Sequence, residues 1–477
     1  MGSDRYDRLS AQDAAFLSSE GPNTPMHVAL VFISDAEPLR TEEGGIDIER
    51  IRRFIASRLH LVPRYRQRIR TTPLSGSPVW ADDPHFSIDF HVRHAALPRP
   101  GNAEQLKKLA GQIIVQRLDR ERPLWEIWFV EGLERGDRFA AIWKIHHCMT
   151  DGTSGVELVT MLMSLSPDEK EPGEVSRYVP RPPPGNLELL RDEVARYVAG
   201  PFDAARRIRD MLGEEKPVEE LRGALAGLRE FLGQGLTMAS GTPFNQPIGP
   251  HRRFDSLAMS LADVKAVKDK LGGTINDVVL ATVAGGMRRY LRRQRVDPSQ
   301  LDFRVSAPVS MRTDADPGGM GNRVSAWIVS LPIDEPDAVT RLEHIRKTTS
   351  GLKQSKGAFG AALLSAATEW TGTTLLSLGA RLQNVALPAN MIVTNVPGPQ
   401  IPLYTLGGRL LEAYPIVPLF AQQGLGIALF SYDGRLFWGL DADPDLVPDL
   451  GDFRQDLADA FDELRTDAGL VPVTPAD

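Results

Sequence analysis

Along the first half of the chain, apolar positions switch between the period of a strand and the period of a helix. Met26 to Ser34 is an apolar, β-branched run that predicts a strand, and Ile48 to Leu61 sets Ile51, Phe54, Ile55 and Leu59 at helical spacing. Phe139 to Ile145 predicts a short buried strand, and Gly155 to Leu165 places Val156, Val159, Leu162 and Met163 on one helical face. The residues between them, beginning with His146 and His147, therefore fall in a strand-to-helix turn.

From about Asp168 to Asn186 the pattern gives way to charges and prolines, including Pro180-Arg181-Pro182-Pro183-Pro184, which must be extended. Residues 187 to 237 then carry helical periodicity with dense charge, through Leu189, Leu190, Val194, Val198, Leu221, Leu225, Leu228 and Phe231. Gly241 to Pro250 is a second break, rich in Gly, Pro and Asn. Beyond it, Thr274 to Leu291 predicts a helix entered at Asn276-Asp277. Phe303 to Met311, Val324 to Leu331, Asn390 to Val396, Leu425 to Phe430 and Arg435 to Leu440 predict strands. The expected organisation is an N-terminal α/β domain over residues 1–185, a helical connector over 186–245 and a C-terminal α/β domain over 246–477. No short internal repeat is present, although two halves of similar size suggest a duplicated architecture.

A chain of 477 residues supports two cores. Its 42% apolar and 25% charged content is that of a globular protein, and its net charge of -7 opposes a polyanionic partner on average. The single cysteine, Cys148, excludes an intrachain disulfide, and the first residues lack the basic-then-apolar order of a signal peptide. No stretch offers the 18 or more apolar residues of a membrane span, so a cytoplasmic protein is expected.

The chemistry concentrates in His146-His147-Cys148-Met149-Thr150-Asp151-Gly152. A neutral imidazole, with an ordinary pKa of roughly 6.5, accepts a proton from an alcohol at physiological pH. A turn after a buried strand holds it rigidly; Gly152 lets the backbone bend, and Asp151 can tie the turn down. The plainer alternative is a pair of polar loop residues. Cys148 invites a Cys/His nucleophile reading, but adjacent residues on a strand or turn usually point apart. There is no GxSxG elbow, Walker loop or HExxH, and one cysteine excludes a thiolate-rich zinc site, so no metal or cofactor is expected. His27, His60, His85, His91, His94, His251 and His344 lack ligand spacing and are expected at the surface or satisfied in the core.

With Asp151 and Gly152 in register, the run resembles the HHxxxDG motif of the CoA-dependent acyltransferase superfamily. Further segments spread over nearly the whole chain are similar to the bacterial wax ester synthase/diacylglycerol acyltransferase family. These are Leu9 to Leu17 followed by Glu20 and Thr24-Pro25-Met26-His27-Val28, Pro123-Leu124-Trp125-Glu126, Thr274-Ile275-Asn276-Asp277-Val278, Pro308 to Arg312, Thr394 to Pro399 and Gly424 to Ile427. The resemblance implies two chloramphenicol-acetyltransferase-like α/β domains, each a mixed sheet with packed helices, and an active-site tunnel between them. It implies that His147 is the general base in acyl-CoA-dependent esterification of diacylglycerol or a long-chain alcohol, with acyl-CoA as substrate rather than cofactor. His146 and Gly152 shape the site in that reading, and Asp151 is structural, with Arg312 as its expected partner across the domain interface. Glu20 and Thr274 are expected against substrate, and Asp277 is expected to be structural. The alternatives are a condensation-type enzyme using a carrier-protein thioester and a catalytically silent lipid-droplet protein.

Several residues carry two readings. Asn276 either offers an amide to the oxyanion or caps its helix, and Trp125, Phe16 and Phe420 either line an acyl tunnel or pack in the core. Arg206-Arg207-Ile208-Arg209, the basic run Arg288 to Arg295 and the Ala/Leu-rich Gly360 to Leu378 either dock peripherally on a membrane or lipid inclusion or are ordinary solvated and buried helices. The two basic runs are also the candidates for the phosphates of CoA.

Overall fold

The structure is a computed structural model, and it describes residues 5–149, 163–169, 171–195, 238–310, 324–354 and 388–470. Asp151, Gly152 and Arg312 lie outside the described residues, as do nearly all of the helix expected over 155–165, Arg206 to Arg209 and Gly360 to Leu378. Residues 163–165 are described and are not helical; Ser164 instead exchanges backbone hydrogen bonds with Tyr404 at 2.8 and 2.9 Å.

The first half supplies strands β1 (Tyr6–Arg8), β2 (His27–Asp35), β3 (Gln67–Thr71), β4 (Pro78–Asp82), β5 (Val92–Ala96), β6 (Trp125–Leu133) and β7 (Arg138–His146). The second half supplies β8 (Arg253–Ser260), β9 (Arg304–Ser310), β10 (Val324–Ser330), β11 (Met391–Pro397), β12 (Tyr404–Thr405), β13 (Gly408–Ile416), β14 (Leu425–Tyr432) and β15 (Arg435–Ala442). The principal helices are α1 (Ala11–Ser19), α2 (Ile48–Arg58), α3 (Ile88–His91) and α4 (Ala103–Ile114) in the first half. In the second they are α5 (Leu261–Leu271), α6 (Ile275–Arg293), α7 (Ala338–Gln354) and α8 (Leu450–Asp467).

Two six-stranded mixed sheets organise the molecule. One runs β12-β13-β2-β7-β6-β5 and the other β10-β9-β11-β14-β15-β8, while β1, β4 and β3 form a small third sheet. In the first, only β5 and β6 are parallel; in the second, β11 runs parallel to both β9 and β14. The central strands β7 and β14 are buried almost end to end, which is why their sequences read as continuous apolar runs rather than alternating ones. Lys144 is the one charge inside that run of β7. It is fully buried and donates to the carbonyls of Ile113 and Gln116 at 3.2 and 2.9 Å, satisfying the C-terminal end of α4.

The division expected at residues 185 and 246 leaves out one crossing. β12 and β13 come from the second half yet complete the sheet of the first, with β13 paired antiparallel to β2 from Leu410↔Ser34 to Ile416↔Ala29. Apolar alternation over 408–416 is weak in the sequence, because Arg409 and Glu412 interrupt it. The two lobes press together where β13 passes β15: a side chain at Gly439 would meet the Pro415 carbonyl oxygen at 1.6 Å, so the close approach requires glycine. The α4 helix packs on β8 in the same way, with Gly111 against the Arg252 backbone and Lys107 paired to Asp255 at 2.6 Å. Of the expected connector, residues 186–195 are described and are helical. Glu193 anchors them, accepting from the backbone amides of Leu74 and Ser75 at 2.9 Å each and from the Thr72 hydroxyl at 2.8 Å.

Candidate active site

The buried strand β7 ends at His146, and a short 3-10 turn over His147–Met149 follows it. Because consecutive side chains diverge at this junction, His146 is fully buried while His147 is partly exposed. The turn is fastened on both sides by backbone hydrogen bonds, His147 N–H to Met26 O at 2.8 Å and His146 N–H to Leu124 O at 3.0 Å. Nδ1 of His146 accepts from the amide of Cys148 at 3.1 Å, which leaves the proton of a neutral His146 on Nε2. Phe16 of α1 stacks on the His147 ring, with centroids 3.9 Å apart and planes inclined by 20°.

Behind the turn lies a buried ionic group. The antiparallel register sets His27 directly opposite His146, and their rings meet edge to face at 5.8 Å. Glu20, the C-cap of α1, inserts between them with a side chain that is 1% exposed. Its Oε1 lies 3.4 Å from His27 Nε2 and 3.8 Å from His146 Nε2. Its Oε2 accepts from Arg120 at 2.7 and 3.2 Å and from Arg117 at 3.4 Å. Burial pushes the Glu20 carboxyl up, yet the facing imidazoles of His27 and His146 and the hydrogen bonds from Arg120 outweigh it and hold Glu20 ionised, well below the usual carboxylate range.

Burial lowers His147 to about 4, and it lowers His146 to about 3 with His27 adding to the shift and Glu20 opposing it. Both rings are therefore neutral at physiological pH, the form in which a histidine accepts a proton. Cys148 is also buried, and burial pushes its thiol well up, away from the thiolate that a nucleophile requires.

The structure thus brings His146, His147 and Glu20 together, and adds Arg117, Arg120 and two aromatic rings that the sequence did not place there. His27, expected as an ordinary surface or core histidine, is part of the cluster. The signal was present in the chain: strands of nine residues, each with its histidine at one end, pair antiparallel and so oppose His27 to His146. Phe16 is the second, and its contact with His147 crosses between elements that no local pattern relates.

Glu20, expected against substrate, is enclosed beneath the histidines and has its oxygens turned to His27, His146, Arg117 and Arg120. Trp125 is 1% exposed, donates from its indole to Tyr65 O at 2.8 Å and stacks on His91, a core placement rather than a tunnel wall. Thr274 is the N-cap of α6: its hydroxyl accepts from the amide of Asp277 at 3.2 Å, and Asp277 returns the contact to Thr274 N–H at 2.7 Å. Asp277 also accepts from the Thr349 hydroxyl of α7 at 2.7 Å. The cap is therefore Thr274 and not Asn276, which is half-buried in the first turn of the helix. The basic run Arg288 to Arg295 is largely tied into the fold. Arg288 donates to the carbonyls of Ile333 and Asp334, Arg289 pairs with Glu463, and Arg293 pairs with Asp449 and Asp456.

Among the described residues, no cluster of His, Cys, Asp and Glu is arranged to hold a metal ion, and no helix is long and apolar enough to cross a membrane.

Comparison with known proteins converges on one family. The profile of the wax ester synthase/diacylglycerol acyltransferase catalytic domain matches residues 9–279, and that of the WS/DGAT C-terminal domain matches residues 320–465. A protein of Mycobacterium tuberculosis H37Rv carrying the name diacylglycerol O-acyltransferase is 35% identical over 469 residues, 96% of this chain and 90% of the relative. Another from the same strain is 31% identical over 470 residues, 96% of each chain. The solved wax ester synthase/diacylglycerol acyltransferase of Marinobacter aquaeolei VT8 superposes with a TM-score of 0.68 at 26% identity, over 97% of this chain and 100% of that one. The first condensation domain of the CDA synthetase shares the fold alone, with a TM-score of 0.60 at 16% identity over 98% of each chain. The chain belongs to the wax ester synthase/diacylglycerol acyltransferase family.

Proposed function

We propose that the protein transfers a long acyl chain from acyl-CoA to the hydroxyl of diacylglycerol, a long-chain alcohol or both, with His147 as the general base. Family membership makes the chain an acyltransferase, and the relatives' names supply the acceptor class. The observation that supports the role of His147 is its partial exposure on a turn fastened by backbone hydrogen bonds, beside a first histidine that is fully buried.

In this reading the acceptor O–H gives its proton to the neutral imidazole of His147 as its oxygen attacks the thioester carbonyl. The tetrahedral adduct collapses, the C–S bond breaks, and the imidazolium returns the proton to the departing CoA thiolate, so no acyl-enzyme forms. Asp151 and Gly152 complete the turn, Arg312 is the partner assigned to Asp151, and Asn276 supplies an amide to the oxyanion; all four are proposals. Two lobes and a connector near 186–245 remain the proposed division, with 404–416 lent to the first lobe's sheet. Substrates this apolar favour a protein that touches the inner membrane face or a lipid inclusion peripherally.

The test is to incubate the purified chain with palmitoyl-CoA and either diolein or hexadecanol. Equal amounts of free CoA and of triacylglycerol or wax ester support the reading. CoA release without ester, or no release with either acceptor, overturns it.

A further inference from the structure

One helix reaches both histidines. Phe16 and Glu20 lie four residues apart, so they project from the same face of α1, one turn from each other. Phe16 covers the ring of His147 at 3.9 Å, and Glu20 turns one carboxylate oxygen to His146 and His27. The far end of the helix is itself secured: Arg120 donates to Leu17 O at 2.9 Å as well as to Glu20, placing a cation where the helix carbonyls end.

We infer that α1 is a positioning clamp for the histidine turn, in which Phe16 fixes the plane of the His147 ring and Glu20, held by Arg120, fixes the orientation of His146 and through it the turn. Arg120 holds Glu20 by hydrogen bonds, and Glu20 Oε1 stands 3.8 Å from His146 Nε2, an electrostatic contact beyond hydrogen-bond length. His146 Nδ1 then accepts from the amide of Cys148, the residue that follows His147. His27 stands over the same oxygen from the opposite strand, with its Nε2 at 3.4 Å and its Nδ1 3.3 Å from Ile114 O. Each of these groups is a positioning residue. None needs to touch substrate, and Glu20 is too enclosed to do so. A ring that must stay within a fraction of an ångström of a reacting oxygen gains from such constraint, because a misplacement of about 1 Å costs about 100-fold in rate.

The inference rests on the proposed acyl transfer for its rate measurements and is independent of it for its spectroscopic one. In the full chain, Glu20→Gln keeps the shape of the side chain and removes its charge. Its kcat for palmitoyl-CoA and diolein should fall about 10- to 100-fold with both KM values within about threefold. Arg120→Lys should retain more of kcat than Arg120→Ala, and Phe16→Leu should lower kcat with KM unchanged. In imidazole ¹⁵N and ¹H spectra, His146 of the unmodified protein should be a single Nε2–H tautomer, held by the Cys148 amide, and Glu20→Gln should shift and broaden its Nε2–H resonance as the ring's orientation loosens.

An unchanged kcat in Glu20→Gln overturns the clamp, and so does a raised KM at constant kcat, which would place Glu20 on the substrate. An Nδ1–H tautomer of His146 in the unmodified protein overturns it as well. If the unmodified protein fails to turn over either acceptor, the functional reading falls while the tautomer measurement still judges the clamp.

Discussion

The turn after β7 and the entrance to α6 are both short polar motifs at the start or end of a buried element, and they use their polar atoms in opposite ways. At the α6 entrance, Thr274 and Asp277 satisfy each other and the first free amides of the helix, with Thr349 closing the set. Such a capping box stabilises a helix and leaves nothing reactive. At the β7 turn, His146 Nδ1 is met by the Cys148 amide, but its Nε2 is buried beside an ionised Glu20 carboxylate, and the imidazoles of His146 and His147 are pressed into the neutral form. Groups whose environments push them away from their ordinary protonation behaviour mark chemistry more often than capping does. The contrast supports the proposed placing of catalysis at the histidine turn and of stability at most of the α6 entrance, with Asn276 the proposed exception.

Substitutions can break that contrast, beginning with the largest effect. His147→Ala should lower kcat by about 10² to 10⁴ with little change in melting temperature, the range of a lost general base. Asn276→Ala should lower kcat about 100-fold without loss of stability, since Thr274 and not Asn276 carries the cap; a fall in stability with kcat intact would return Asn276 to a structural role.

The third effect is on stability against pH. Burial holds His91 and His147 near 4 and His146 near 3, all below the ordinary histidine value. Between pH 6.5 and 4 the unfolded chain binds protons at these sites and the folded one does not. Stability is therefore full above pH 6.5 and declines below it, by up to about 1.4 kcal/mol per pH unit for each histidine. Thermal melts from pH 7 to 5 should show a steady decrease.

Smaller still, Thr274→Ala should cost about 1 kcal/mol and leave kcat within about twofold, measured by denaturant unfolding and CoA release. Last, Arg293→Ala should cost under about 1 kcal/mol and leave the KM for palmitoyl-CoA unchanged, because its guanidinium is paired to Asp449 and Asp456 at a partly exposed surface.

Local pattern carried the elements well where burial is one-sided or complete. Met26 to Ser34 and Phe139 to Ile145 became β2 and β7 within a residue at each end, and Ile48 to Leu61 became α2 with a 3-10 turn over its last three residues. What local pattern could not reveal is contact between distant segments. The insertion of β13 into the first sheet spans the whole chain and depends on a cross-sheet approach at Gly439. The site divides along the same line. His147 and its neighbour were legible from their spacing, and Glu20 was placed near them by resemblance. That Glu20 lies beneath the histidines rather than against substrate follows only from the meeting of α1, β2 and β7. Trp125 was ambiguous in sequence because an aromatic suits a tunnel wall as well as a core; its burial and its indole bond to Tyr65 O support the core placement.

The central claim is that His147, held neutral by partial burial, takes the proton from the acceptor. It is tested most directly by the pH dependence of kcat at saturating palmitoyl-CoA and diolein, in enzyme that regains its full rate on return to neutral pH. The predicted profile stays flat from pH 8 to about 5 and falls only as pH approaches about 4, where His147 protonates. A fall centred near pH 6.5, the mark of an ordinary exposed histidine, would contradict it.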